Sequence, residues 1–169
     1  MIEVKVKTTF NPRFLEEFRD AIISTLDRIS SRAQEVAVKN APADIGQLRN
    51  SISVIRNFEP PSFEGGIQTN LPHAIVQEFG RRPGKFPPEF PIARWITRKR
   101  AVFGAAIKEF GGGAKGLRRI TFLVRRKIAK KGFPGKFFFK KAEQAIRREF
   151  PNELARLGAS IQTSWEKGD

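Results

Sequence analysis

Between Asn11-Pro12 and Pro42, the apolar residues Phe14, Phe18, Ile22, Leu26, Ile29, Ala33 and Val36 recur at spacings of three and four. That period lines one face of an α-helix. Asn11 suits a helix cap, and Pro12 suits the first helical position, where a missing N–H goes unnoticed. Pro42 stops the run, so one long amphipathic helix to about Asn40 is expected. Its apolar stripe has to be covered by another layer, which limits the chain to folds that supply one.

Candidate covering elements lie on both sides. Ile2, Val4 and Val6 alternate with Glu3, Lys5 and Lys7, the period of a strand with one buried face, so residues 2–8 are expected to be a strand. After a turn at Asp44-Ile45-Gly46, alternation through Leu48, Asn50, Ile52 and Val54 predicts a strand from Leu48 to Phe58, broken by Pro60-Pro61. Phe63 to Thr69 reads as its returning partner, with Gly65-Gly66 marking a bulge or a close approach. His73 to Phe79 fits a short helical turn closed by Gly80.

Four prolines and a glycine between Arg81 and Pro91 predict an extended, exposed loop with a basic tip. Ile92, Trp95 and Ile96 mark a short helix with Arg94, Arg98, Lys99 and Arg100 outward. Gly111 to Gly116 reads as a linker or mobile loop. Leu117, Ile120, Val124 and Ile128 give another helix, ending near Gly132. A last helical region from about Phe137, kinked or interrupted at Pro151, reaches Trp165. The expected class is α+β: a long N-terminal helix packed on a small antiparallel sheet, with further C-terminal helices. At 169 residues the chain can hide roughly 70% of its unfolded surface. It is read as a single domain, 1–169, with a basic loop-and-helix insertion at about 81–136.

The charge is unevenly placed. Of 32 Lys and Arg against 17 Asp and Glu, the stretch from Arg81 to Lys141 holds nineteen bases and only two acids, Glu89 and Glu109, a net of +17. The remainder is near neutral, so a polyanion or an acidic protein face is the implied partner of this one segment. No cysteine is present, which excludes disulfides, cysteine-ligated metals and thiol nucleophiles. The charged alternation at the N-terminus is not the continuous apolar stretch of a secretory signal, and no run of eighteen apolar residues occurs, so neither export nor a membrane partner is expected.

Catalytic signatures are missing, and no cofactor is expected. His73, the sole histidine, has no ligand partner at metal-binding spacing. Gly80 to Phe86 is one residue short of a phosphate loop and has Phe86 where a Ser or Thr would hold magnesium. A nuclease needs clustered carboxylates, and only a meeting of Asp44 with Glu78 could supply a pair. Phe86, Phe90, Trp95, Phe103, Phe110, Phe122, Phe133 and Phe137 to Phe139 could stack on bases, but their helical spacing favours core. Pro-Gly-Lys-Phe occurs twice, at 83–86 and 134–137, too little to define a repeat protein.

The run Lys39-Asn40-Ala41-Pro42-Ala43-Asp44-Ile45-Gly46-Gln47-Leu48-Arg49-Asn50-Ser51-Ile52 resembles the signature of the neck or tail-completion proteins of tailed bacteriophages, the gene-product-ten-like family. In that family a long helix is followed by Ala-Pro, an acid, Gly, a polar residue, Leu and a Ser-Ile pair entering a hairpin. A second resemblance is His73-Ala74-Ile75-Val76-Gln77-Glu78-Phe79-Gly80, with His73 in place of the usual Tyr, as Ile45 replaces the usual Thr. A third, to members with a longer middle, comprises Pro88, Ile92, Trp95 and Lys99, then Phe122 with Arg126 to Gly132, then Pro134 and Phe137-Phe138.

The resemblance implies a non-catalytic virion protein, made in the host bacterial cytoplasm and placed in the neck or at the top of the tail. It would form a ring homo-oligomer between portal or adaptor, head-closure or tail-terminator proteins, with genomic DNA in the channel as a further possible partner. Ala41, Pro42, Gly46, Leu48, Ser51, Ile52, Glu78, Phe79 and Gly80 would then be structural motif residues. Arg81, Arg82, Lys85, Arg98, Lys99, Arg100, Lys115, Arg118, Arg119, Arg125, Arg126, Lys130 and Lys131 are candidates for assembly or polyanion contact. The rival reading from the same charge is a non-catalytic DNA-binding module using segment 81–141.

Overall fold

The computed structural model describes residues 12–59 and 62–166, and the strand expected over residues 2–8 lies outside them. In chain order the elements are α1 (Pro12–Asn40), α2 (Gln47–Asn50), β1 (Ser53–Asn57), β2 (Glu64–Gln68), α3 (His73–Phe79) and β3 (Gly80–Arg81). There follow α4 (Glu89–Arg98), α5 (Arg100–Glu109), α6 (Gly113–Lys131), β4 (Phe133–Pro134) and α7 (Phe138–Glu166). The class is α+β, with the long first helix on a small two-stranded antiparallel sheet and helices after it. These elements form two compact units, one from residues 1–74 with 137–169, the other from residues 75–136.

In the first unit α1 pairs with α7, each 29 residues and about 43 Å long at 1.5 Å per residue. Arg28 reaches Glu153 at 3.2 Å and Arg32 reaches Glu149 at 3.2 Å, while Phe14 meets Trp165 edge-on at 5.1 Å. One number rises as the other falls, so the helices run antiparallel. Arg32 also holds Glu35 at 2.7 Å, and the hydrogen bonds it donates to Glu35 and then to Glu149 raise its guanidinium pKa above the ordinary value. Pro151 lies inside α7 without ending it, between the two residues that α1 grips, Glu149 and Glu153. The anchored helix thus tolerates the hydrogen bond that proline removes.

The hairpin pairs Ser53 with Gln68 through to Asn57 with Glu64, one residue against one, so the Gly65-Gly66 pair is no bulge. It is a close approach: a Cβ on Gly65 would stand 2.5 Å from Ser30 Oγ and 3.2 Å from the Leu26 carbonyl of α1. The core gathers Ala37 and Ala41, Leu48, Ile52, Ala74, Phe138 and Ala142.

The expected strand from Leu48 to Phe58 is corrected at its start. Leu48 lies in α2, and the strand begins at Ser53. Leu48 and Ile52 are four apart, which fits one helical turn as well as two strand steps, and Gly46 at φ 80° opens the turn. Three hydrogen bonds fix the junction: Arg49 Nε donates to the Ala41 carbonyl at 2.9 Å, Gln34 Nε2 to the Ile52 carbonyl at 2.7 Å, and Ser51 Oγ to the Leu48 carbonyl at 2.8 Å. The carbonyl at the end of α1 is thereby satisfied.

In the second unit β3 pairs antiparallel with β4, and α6 packs on both α4 and α5. Gly80 takes φ 77°, and a Cβ there would come within 2.4 Å of the Phe133 carbonyl, so both backbone and space demand glycine. Two sequence expectations change. The loop expected from Arg81 to Pro91 runs from Arg82 to Pro88, because Arg81 pairs in β3 and Pro91 sits in the first turn of α4, where its missing N–H costs nothing. Gly111 to Gly116 is neither linker nor mobile loop: α6 begins at Gly113, and Gly112 N–H donates to the Ile107 carbonyl at 2.9 Å. Gly116 is buried where a Cβ would meet that same carbonyl at 2.1 Å, so this glycine lets α5 and α6 close together.

Candidate functional site

The second unit carries most of the charge. Residues 75–136 hold seventeen bases and three acids, a net of +14, while the first unit has fifteen bases and fourteen acids, a net of +1. Its longest helix, α6, has eight Lys and Arg and no acid. Stepping at 100° per residue, the exposed Lys115, Arg119, Phe122, Arg126 and Lys130 fall within a narrow arc along α6, a row about 22 Å long. Arg118 is exposed at its margin, and Lys131 is exposed at the end of the helix on the side of Ile120. The opposite face holds the buried Ile120 and Thr121.

Arg125 belongs to the packing and not to this row. Its side chain is half-buried, with Nε donating to the Pro87 carbonyl at 2.9 Å and Nη1 meeting Glu89 at 2.8 Å. The guanidinium lies 5.5 Å over Phe86, whose ring stacks on Phe122 at 6.0 Å. Arg125 thus ties the Pro-rich loop and the start of α4 to α6. Arg119 stacks 5.4 Å over Phe110, which covers the guanidinium face and leaves the in-plane N–H donors outward. Lys115, Arg118, Arg126, Lys130 and Lys131 form no ion pair among the described residues.

The other candidates are spread out. Arg81 is half-buried in β3 and donates to the Lys85 carbonyl at 2.8 Å; Arg82 and Lys85 are exposed in the following loop. Arg98 and Arg100 are exposed on either side of the half-buried Lys99, at the α4–α5 junction. Several aromatics expected in the core are not there, since Phe86, Phe90, Phe122 and Phe137 are exposed. Phe90 and Phe122 do lie on helices, α4 and α6, but Phe86 and Phe137 lie outside any helix, so the helical spacing read for them does not apply.

Of the motif residues, Ala41, Leu48, Ile52 and Glu78 are buried, Pro42 is half-buried, and Ser51 Oγ meets Thr69 Oγ1 at 2.7 Å. Phe79 differs, being 70% exposed, with Ile75 one turn earlier on α3 at 68%. Asp44 and Glu78 belong to different units. No group of three or more His, Asp or Glu could hold a metal ion among the described residues, nor is any described helix long and apolar enough to cross a membrane. Compared with known proteins, the chain matches no family model, no curated protein and no solved structure.

Proposed function

We propose that the chain is a structural virion protein of a tailed bacteriophage, made in the bacterial cytoplasm and assembled as a ring in the neck, where it joins head to tail or completes the tail. The observation that carries this reading is the order of the three resembling stretches, Lys39 to Ile52, His73 to Gly80, and Pro88 to Phe138. The fold is compatible with it: Ala41, Leu48 and Ile52 build one core, as residues fixed for architecture do. Ile75 and Phe79 supply what a ring contact needs, two large apolar side chains on the open face of a helix. A ring closes by heterologous contacts, in which this face meets a different surface of the next copy. Portal or adaptor, head-closure and tail-terminator proteins are the neighbours above and below.

The experiment is mass spectrometry of purified particles together with native mass spectrometry of the isolated protein. The chain is expected in virions at a small fixed copy number, and a double variant Ile75→Ser, Phe79→Ser is expected to keep its helical circular dichroism while failing to join particles. Absence of the wild-type chain from purified particles would overturn the proposal.

A further inference from the structure

We propose that the outer row of α6, Lys115, Arg119, Arg126 and Lys130, is a sequence-independent contact for the phosphate backbone of duplex nucleic acid. The inference goes beyond the ring reading and does not require it, since one copy presents the whole row. Three observations select this partner. First, a second copy of the chain offers no net negative unit to neutralise the row: the second unit is +14 and the first is +1. Second, the row consists of donors alone. α6 has no carboxylate over 19 residues, and the charges that flank the row, Arg118 and Lys127, are again basic. An acidic protein face interleaves bases with its acids and would meet repulsion along such a row, whereas a phosphodiester backbone offers only acceptors. Third, the aromatics beside the row are already engaged. Phe122 stacks on Phe86, which lies under Arg125, and Phe110 lies under Arg119. They hold the scaffold and the Arg119 plane, which leaves charge as the means of binding and favours a duplex over base stacking on a single strand.

The row's reach suits the ligand. Its length of about 22 Å is roughly two-thirds of a duplex turn, over which both strands present about thirteen phosphates. Four flexible cations on that scale neutralise without needing a fixed register, so no base sequence is read.

The test is fluorescence polarisation of two unrelated 20-base-pair duplexes with the full chain between 50 and 200 mM salt. Equal affinity for both is expected, with log affinity falling against log salt at a slope of about −3.6, or 0.9 for each of four phosphates. A variant with Lys115, Arg119, Arg126 and Lys130 each changed to Gln should bind roughly 100-fold more weakly and lose most of that slope. A control with Arg19, Lys39, Arg147 and Arg148 each changed to Gln removes the same net charge from the first unit and should bind like wild type. Equal losses in the two variants would overturn the proposal, because net charge and not the α6 row would then be responsible. So would tighter binding of poly-glutamate or of the single strand than of the duplex. Failure here leaves particle incorporation untouched, and absence from particles leaves the duplex measurement untouched, so the two proposals fail separately.

Discussion

At residue 65 the backbone of a strand passes so close to a helix that no side chain fits between them. A methyl group on Gly65 would press on Ser30 Oγ at 2.5 Å, whereas one on Gly66 would touch only Ile55 Cδ1 at 3.9 Å. Gly65→Ala is therefore expected to cost about 1–3 kcal/mol as overpacking, while Gly66→Ala should be neutral or slightly stabilising because alanine has less backbone entropy to lose. Urea unfolding of the two variants checks this, and equal midpoints would remove the close approach as the reason for the glycine pair. The sequence showed two adjacent glycines but not which one mattered, because the answer lies 35 residues earlier, at Ser30. A second adjacent pair separates in the same way. Arg125→Gln loses a half-buried bond to Pro87 and the pair with Glu89, so a loss of about 1–2 kcal/mol is expected. Arg126→Gln, one residue on and exposed, should change stability by less than about 0.5 kcal/mol. A common effect of both on the thermal midpoint would contradict this division between brace and contact. In the sequence the two arginines are indistinguishable, since Glu89 stands 36 residues from Arg125.

Elements were legible where one periodicity stood alone. The start and end of α1, the part of α6 from Leu117 to Lys131 and the continuation of α7 to Trp165 follow apolar residues at spacings of three and four. Where two periods overlapped the reading failed, as at Leu48 and Ile52, which serve a helical turn and a strand equally well. Helix α5 gave no readable stripe, because Ala101, Val102, Phe103, Ala105, Ala106 and Ile107 surround it almost completely and Gly104 interrupts it. Helix α6 also carries a cost that the periodicity does not reveal. Lys115 with Arg119, Arg126 with Lys130, and Lys127 with Lys131 are like charges one turn apart, each destabilising a helix by about 0.2–0.5 kcal/mol. Screening should relieve them, so the thermal midpoint of the free protein is expected to rise between 20 and 300 mM sodium chloride. The variant with Lys115, Arg119, Arg126 and Lys130 changed to Gln should start higher and rise less. A wild-type midpoint that falls with salt would show that the favourable ion pairs, such as Arg32 with Glu149, outweigh the repulsion.

For the molecule as a whole, fold and charge are carried by different parts of the chain. The first unit has a core of its own, built from α1, α2, Ile52, Ala74 and the start of α7, and is close to electrically neutral. Residues 75–136 leave that core after Ala74 and return before Phe138, both of which are buried in it. The two ends of the excursion therefore start from one place, and a short connection can replace what lies between them. Replacing residues 75–136 by about six Gly and Ser residues is expected to leave a helical protein that melts cooperatively, because no residue of the cluster around Phe138 is removed. The shortened chain should lose its affinity for duplexes, having shed +14 of the +15 net charge, and should not enter particles, having lost Ile75 and Phe79. Circular dichroism melting and the polarisation assay measure these independently. A shortened chain without a cooperative transition would mean that the first unit needs the second in order to fold, and the division into a neutral scaffold and a charged excursion would be wrong. A cooperative transition with duplex binding retained would instead move the nucleic-acid contact off α6.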